Sequence, residues 1–253
     1  MGEAGSPVWE DAWFAVRILM LAGLTMTLVS AYGAGLRWVP VWAILRAGLQ
    51  LSVVALLLRG VLSVPGTAAA FVLLMLTTAS LTSMGRTREL WHGRRAAVLG
   101  VVAGSAVSLT AIFALQLASL DARYIVATGG IVIGNAMSAA TLSGRNFRRA
   151  ADARWPEIEA WLSLGATPTV AHREAAQEAV RESLIPHLDQ AKSTGLVTLP
   201  GAFVGALFGG AGPVEAAKFQ LVVLAGIALA MAVTAITLTA VVRRSPCVGL
   251  AGN

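Results

Sequence analysis

Charge is scarce in this chain. Of its 253 residues only 13% are Asp, Glu, Lys or Arg, about half the share usual in a soluble domain. That scarcity excludes an ordinary water-soluble globule, and the apolar content excludes a disordered chain. Cysteine is nearly absent. The single Cys247 permits neither an intrachain disulfide nor a cysteine-based metal site. The three histidines, His92, His172 and His187, stand far apart in sequence. No Gly-x-x-x-x-Gly-Lys-Ser/Thr phosphate loop occurs; both lysines, Lys192 and Lys218, follow an alanine. The chain therefore does not hydrolyse ATP by that route. His-Glu-x-x-His and Gly-x-Ser-x-Gly are missing too, which removes zinc and serine hydrolysis. No span centre carries a lysine, which removes a retinal Schiff base. Neither a catalytic residue nor a cofactor site is expected.

What is present is apolar. The hydrophobic set makes up 57% of the residues, and mean hydropathy is +0.74. The apolar residues come in long unbroken runs rather than in alternation, which argues against a membrane β-barrel. The expected fold class is all-α, a polytopic helical membrane protein forming a single membrane domain over 1–253. Seven stretches have the length of a span: 13–34, 38–58, 61–84, 96–118, 124–144, 190–212 and 219–242. The acidic flank Glu10-Asp11 predicts a retained first span, not a cleaved signal peptide.

Net charge is +6 and the pI about 10.7. The membrane explains this without nucleic acid, because arginine collects on the cytoplasmic side of spans. Arg37, Arg86, Arg88, Arg94 and Arg95 fall in the first and third connections. Arg145, Arg148, Arg149, Arg154, Arg173, Arg181 and Lys192 fall in or beside the fifth, and Arg243 and Arg244 follow the last span. These are 14 of the 19 basic residues. All share one side if the N-terminus is outside and the C-terminus cytoplasmic. Arg59, Arg123 and Lys218 lie opposite, with Glu3, Glu10 and Asp11. Arg17 lies near the outer end of span one and snorkels.

Small residues recur at four-residue spacing: Gly100 and Gly104; Gly130, Gly134 and Ser138; Gly201, Gly205 and Gly209. Such ridges let helix backbones approach closely in lipid. They serve packing within a subunit, a dimer seam or a pathway lining.

The one long connection, 145–189, is polar yet patterned. Residues 157–164 read as a short helix started by Pro156 and stopped by Gly165. Thr167 is placed to cap a second helix with Pro168 at its first position, running to about Leu184. Ala176, Val180 and Leu184 share one face of it, and Ile185-Pro186 is expected to end it. Long ordered connections are usually functional. This one reads as a docking element for a cytoplasmic partner.

Glu159-Ala160, with Gly165 six residues after Glu159 and Ile185-Pro186 beyond, resembles the EAA loop of ABC-transporter permeases. The run Leu164-Gly165-Ala166-Thr167-Pro168, then Leu184-Ile185-Pro186 and Gly195 through Gly201, resembles one permease family in particular. That family holds the bacterial Fet-type iron-export permeases (FetB-like) and the plant aluminium-tolerance permeases. Gly134-Asn135-Ala136-Met137, Pro213 through Gln220, and Arg46 with Gln50-Leu51 are similar to it as well. The resemblance implies a permease subunit in the bacterial cytoplasmic membrane, paired as a homodimer and driven by a separate ATPase. It implies export of iron or another metal; the alternative cargo is a different solute, such as a sugar nucleotide or small organic molecule. It also implies that Glu157, Glu159, Ala160, Leu164, Gly165, Ala166, Thr167 and Pro168 couple to the ATPase.

For the translocation path the candidates are Asn135, Met137 and Ser138 in span five and Pro200 in span six. Asn135 in an uncharged span should face protein or water, or bond a neighbouring helix. Pro200 has no N–H, so in a continuous helix the Leu196 carbonyl would lose its donor, leaving a free oxygen or a simple kink. Arg46 and Gln50 share one helix face; Arg46 is also close enough to the cytoplasmic end to snorkel. No cluster of Asp, Glu, His or Cys lies within the spans to hold a metal ion.

Overall fold

The computed structural model describes residues 7–36, 38–61 and 66–246. Among them the chain forms helices and no strand: α1 (Pro7–Ala31), α2 (Val39–Val61), α3 (Thr67–Arg86), α4 (Gly93–Ala114) and α5 (Ala122–Ala153), followed by α6 (Trp155–Ser163), α7 (Pro168–Ala171), α8 (Arg173–Ser193), α9 (Gly201–Phe208) and α10 (Pro213–Val242). Hydrocarbon dictates this choice, because a segment away from water must satisfy its amides within itself. Six helices are long and apolar enough to cross a membrane: α1, α2, α3, α4, α5 and α10. Six of the seven expected stretches fall on them.

The helices gather into two compact units, Met1–Val64 and Pro65–Asn253. The first holds the α1–α2 pair. Trp9 and Trp13 are exposed near the start of α1, and Trp38 and Trp42 at the start of α2. Indole at helix ends suits a headgroup boundary. Arg17, Arg46 and Gln50 are exposed on these helices. Glu3, Arg37 and Cys247 lie outside the described residues.

In the second unit α4 lies against α10. A Cβ at Gly104 would overlap Thr234 Oγ1 and the Ala230 carbonyl, and one at Gly226 would press on Ile112. Two hydrogen bonds cross the seam. Thr234 Oγ1 donates to the Gly100 carbonyl at 3.0 Å, and Ser108 Oγ donates to the Gly226 carbonyl at 2.7 Å. Gly100, Gly104 and Ser108 make one stripe, and Gly226, Ala230 and Thr234 the facing one. Lipid tails are as apolar as leucine, so close packing and such bonds hold the pair together. The other glycine ridges behave differently. Gly130 meets only the flexible end of Met75, and Gly134, Gly201 and Gly205 have nothing within 4 Å of an added Cβ. The expected helix packing at Gly134, Gly201 and Gly205 is therefore not found within the described chain; the close approach sits on α4 and α10.

The sixth expected span, 190–212, is not one helix. α8 ends at Ser193, a non-helical turn occupies 194–200, and α9 has eight residues. Gly195 takes a left-handed φ of 93°, and its amide bonds the Thr198 carbonyl at 2.9 Å. Pro200 offers no amide at all. Two further boundaries shift. α5 runs on through 145–153, so the polar insertion begins as an extension of a span. α8 runs through Ile185-Pro186 instead of stopping there. Its packing against α5 and α10 outweighs the amide bond that Pro186 lacks.

Gly104→Ala should lower the melting point of the solubilised chain, with a loss of about 1–3 kcal/mol from overpacking. Gly134→Ala should be neutral or stabilising by up to about 1 kcal/mol, since alanine is the better helix former. Thermal unfolding followed by helical circular dichroism checks both.

Candidate functional site: a clamped helical hairpin

α6 and α7 form a tight reversal between α5 and α8. Pro156 sits in the first turn of α6, where its missing amide costs nothing. Gly165 ends the helix at φ 86°. The Ala166 amide donates to the Trp161 carbonyl and the Gly165 amide to the Leu162 carbonyl, both at 3.0 Å. This is the Schellman closure, and only glycine adopts the required left-handed conformation without strain. Nothing lies within 4 Å of an added Cβ there, so backbone conformation alone calls for glycine. Thr167 occupies the N-cap position of α7 with Pro168 next, but its hydroxyl makes no capping hydrogen bond.

The hairpin has two sides. Ile158 and Ala171 are buried in the cluster that holds Phe147, Ala150, Ala151 and Ala175, with Leu162 packed on it. His172 is buried as well, its ring 6.0 Å from that of Phe147. Its Nδ1 donates to the Pro168 carbonyl at 2.8 Å, which fixes the tautomer. The other side is open. Glu157, Glu159, Ala160 and Leu164 are exposed, as are Trp161 and Val170. Leu164, at the reversal itself, is 82% exposed.

Arg154 fastens the hairpin at its base. Its Nη1 donates to Glu174 at 2.8 Å and to Glu157 at 3.4 Å, and its Nη2 to Glu178 at 3.3 Å. One guanidinium thus links the end of α5 to α6 and to two successive turns of α8. The hydrogen bond that Arg154 donates to Glu178, with the charges of Glu174 and Glu178, holds Arg154 above its ordinary pKa. Exposed ion pairs add little stability singly. The planar fork's value here is geometric, because it fixes three elements relative to one another. Arg148 similarly pairs with Glu89 in the turn between α3 and α4.

The path candidates of the second unit make separate local contacts. Asn135 Nδ2 donates to the Ile131 carbonyl at 2.8 Å and Ser138 Oγ to the Gly134 carbonyl at 3.1 Å, so both bond their own helix. Met137 packs against the hydrophobic core. Pro200 caps α9 instead of kinking a continuous helix. Arg46 and Gln50 belong to the first unit. Among the described residues no three His, Cys, Asp or Glu side chains come together to hold a metal ion.

Several contributors escape a linear reading. Arg154 finds its main partners 20 and 24 residues away; the one available signal is the one-turn spacing of Glu174 and Glu178. The buried Gln220 accepts the Phe203 amide at 3.1 Å and so satisfies the first turn of α9. His187 Nε2 donates to the Leu224 carbonyl at 3.1 Å, joining α8 to α10.

Residues 13–246 match the family described as "Uncharacterised protein family (UPF0014)". The chain is 35% identical over 237 residues to "UPF0014 membrane protein STAR2" of rice, covering 88% of this chain and 80% of the relative. It is 30% identical over 223 residues to "Protein ALUMINUM SENSITIVE 3" of Arabidopsis thaliana, covering 87% and 82%. It is 29% identical over 184 residues to "Probable iron export permease protein FetB" of Escherichia coli K12, covering 72% and 71%. No solved structure matches it.

Arg154→Gln should leave melting of the solubilised chain nearly unchanged while amide exchange over 155–172 speeds up. Arg154→Lys should recover part of the protection. Hydrogen–deuterium exchange mass spectrometry reads both.

Proposed function

This chain belongs to the UPF0014 family, and from that premise we propose that it is the permease subunit of an ABC transporter that exports iron or another metal. It is a multi-pass membrane protein. In this reading two copies pair in a bacterial cytoplasmic membrane, each seated on a separate ATPase subunit. The observation that carries the reading is the hairpin. A reversal closed by Gly165 presents Trp161, Leu164 and Val170 on its open side, while Ile158 and Arg154 anchor its other side to α5 and α8. An exposed apolar tip on a rigid stem suits insertion into a groove of a partner.

The proposed mechanism follows from the anchoring. ATP binding draws the two ATPase subunits together and carries the hairpins with them. Because Arg154 ties the stem to both α5 and α8, the displacement passes into two helices of the bundle as a rigid-body movement. Glu159, exposed beside the tip, pairs with a basic group on the ATPase. With the N-terminus outside, the first five spans would put this hairpin and the α3–α4 turn on the cytoplasmic side.

The cargo assignment rests on the name borne by the Escherichia coli relative. A second reading is a permease for another solute, such as a sugar nucleotide or small organic molecule. The lack of a three-residue metal-binding cluster among the described residues favours it.

Gly165→Pro and Glu159→Arg should each reduce co-purification of the chain with its ATPase, and Leu164→Glu should reduce it most. Affinity purification of the complex from membranes reads this. Full recovery of the ATPase with all three variants would remove the coupling role.

A further inference from the structure

α8 returns from the hairpin beside the last helix of the chain, and a cleft of about 320 Å³ opens between the two. That volume is at the small end of ligand pockets, about 300–1,000 Å³. Gln177 and Arg181 line it from α8, and Arg243, which directly follows α10, lines it from the other side. Val180, Ile236 and Ala240 supply an apolar wall. No Asp or Glu lines it. A guanidinium stays protonated in proteins, so the cleft carries two positive charges and no negative one.

Its arginines are short of partners. Arg243 is half-buried, and its Nε is shut off from solvent without an acceptor. None of the ion pairs among the described residues includes it. A buried donor left unpaired is uncommon and calls for a reason. Arg181 is exposed, and its Nε lies 3.8 Å from Glu182, too far for a hydrogen bond. The Gln177 amide adds further donors. Thr239 also lines the cleft, but its hydroxyl donates to the Ala235 carbonyl at 2.7 Å.

α10 sets the depth of the cleft. No charged residue stands between Lys218 and Arg243. That run is about 36 Å long at 1.5 Å per residue, enough to cross about 30 Å of hydrocarbon. Arg243 ends it and so meets the headgroups. Ile236 lies about 10 Å back along the helix and is 56% exposed, so the apolar wall runs on toward the acyl chains.

We propose that this cleft binds an anionic phospholipid, its phosphate held by Arg181, Arg243 and Gln177 and an acyl chain laid against Ile236 and Ala240. The arginine fork matches phosphate oxygens and can donate two parallel bonds to them. Basic pockets between spanning helices suit anionic headgroups. A free phosphate would use the arginines and leave the apolar wall bare. A choline headgroup would bring a third cation beside the two. The bound lipid ties α8 to α10 within a turn of Glu178, which pairs with Arg154. The site requires only that the chain spans a membrane; it does not depend on the transport reading.

The test uses the full-length chain purified in a neutral detergent, with native mass spectrometry reading lipid affinity. Phosphatidylglycerol should bind at least about tenfold more tightly than phosphatidylcholine of the same acyl chains, the difference that one charge-assisted hydrogen bond provides. Arg243→Gln and Arg181→Gln should each remove that preference. Arg244 is exposed and lies outside the cleft, so Arg244→Gln removes the same charge and should keep it. Equal affinity for the two lipids in the unaltered chain overturns the site, and this comparison needs no variant to fold. A preference that survives in either cleft variant, or that Arg244→Gln also abolishes, overturns it too. Inorganic phosphate that displaces phosphatidylglycerol at matching concentration overturns the lipid in favour of a free phosphate compound.

Discussion

An amide in hydrocarbon has no water to turn to, and this single restriction organises the second unit. It makes α3, α4, α5 and α10 helical, and where two of them cross most tightly it selects glycine. At the α4–α10 seam Gly100, Gly104 and Gly226 bring the backbones close enough for Thr234 and Ser108 to reach the opposite carbonyls. The same restriction makes the turn at 194–200 conspicuous. The carbonyls of Thr194, Gly195, Leu196, Val197 and Leu199 accept none of the backbone hydrogen bonds found among the described residues.

Mechanical continuity is the second theme. α5 is a 32-residue helix, about 48 Å long at 1.5 Å per residue, so it crosses hydrocarbon and still projects beyond it. α8 returns alongside. Between them the hairpin is braced twice, by the buried Ile158 and by the fork of Arg154. A push on Leu164 would meet a stem without a loose joint. The proposed coupling depends on that stiffness more than on the energy of any one ion pair.

Local chemistry was legible from the residues alone. Pro156, Gly165 and Pro168 each act within a turn or two of their own position, so the start and end of α6 and the start of α7 follow from them. The apolar runs gave six spans for the same reason. What the residues hid was long-range. Gly134, Gly201 and Gly205 look like Gly100 and Gly104 in spacing, but only a neighbouring helix decides which ridge is used. Pro186 reads as a stop, but α8 continues through it packed against α5 and α10. Asn135 and Ser138 each donate one hydrogen bond to a carbonyl of their own helix, a pairing that spacing alone does not reveal.

Reconstitution into vesicles tests the proposed division of labour most directly. The chain alone, the chain with its ATPase, and the pair with ATP would be compared for movement of iron against its gradient. The account predicts uphill movement only with the ATPase and ATP together. Uphill movement by the chain alone would contradict it.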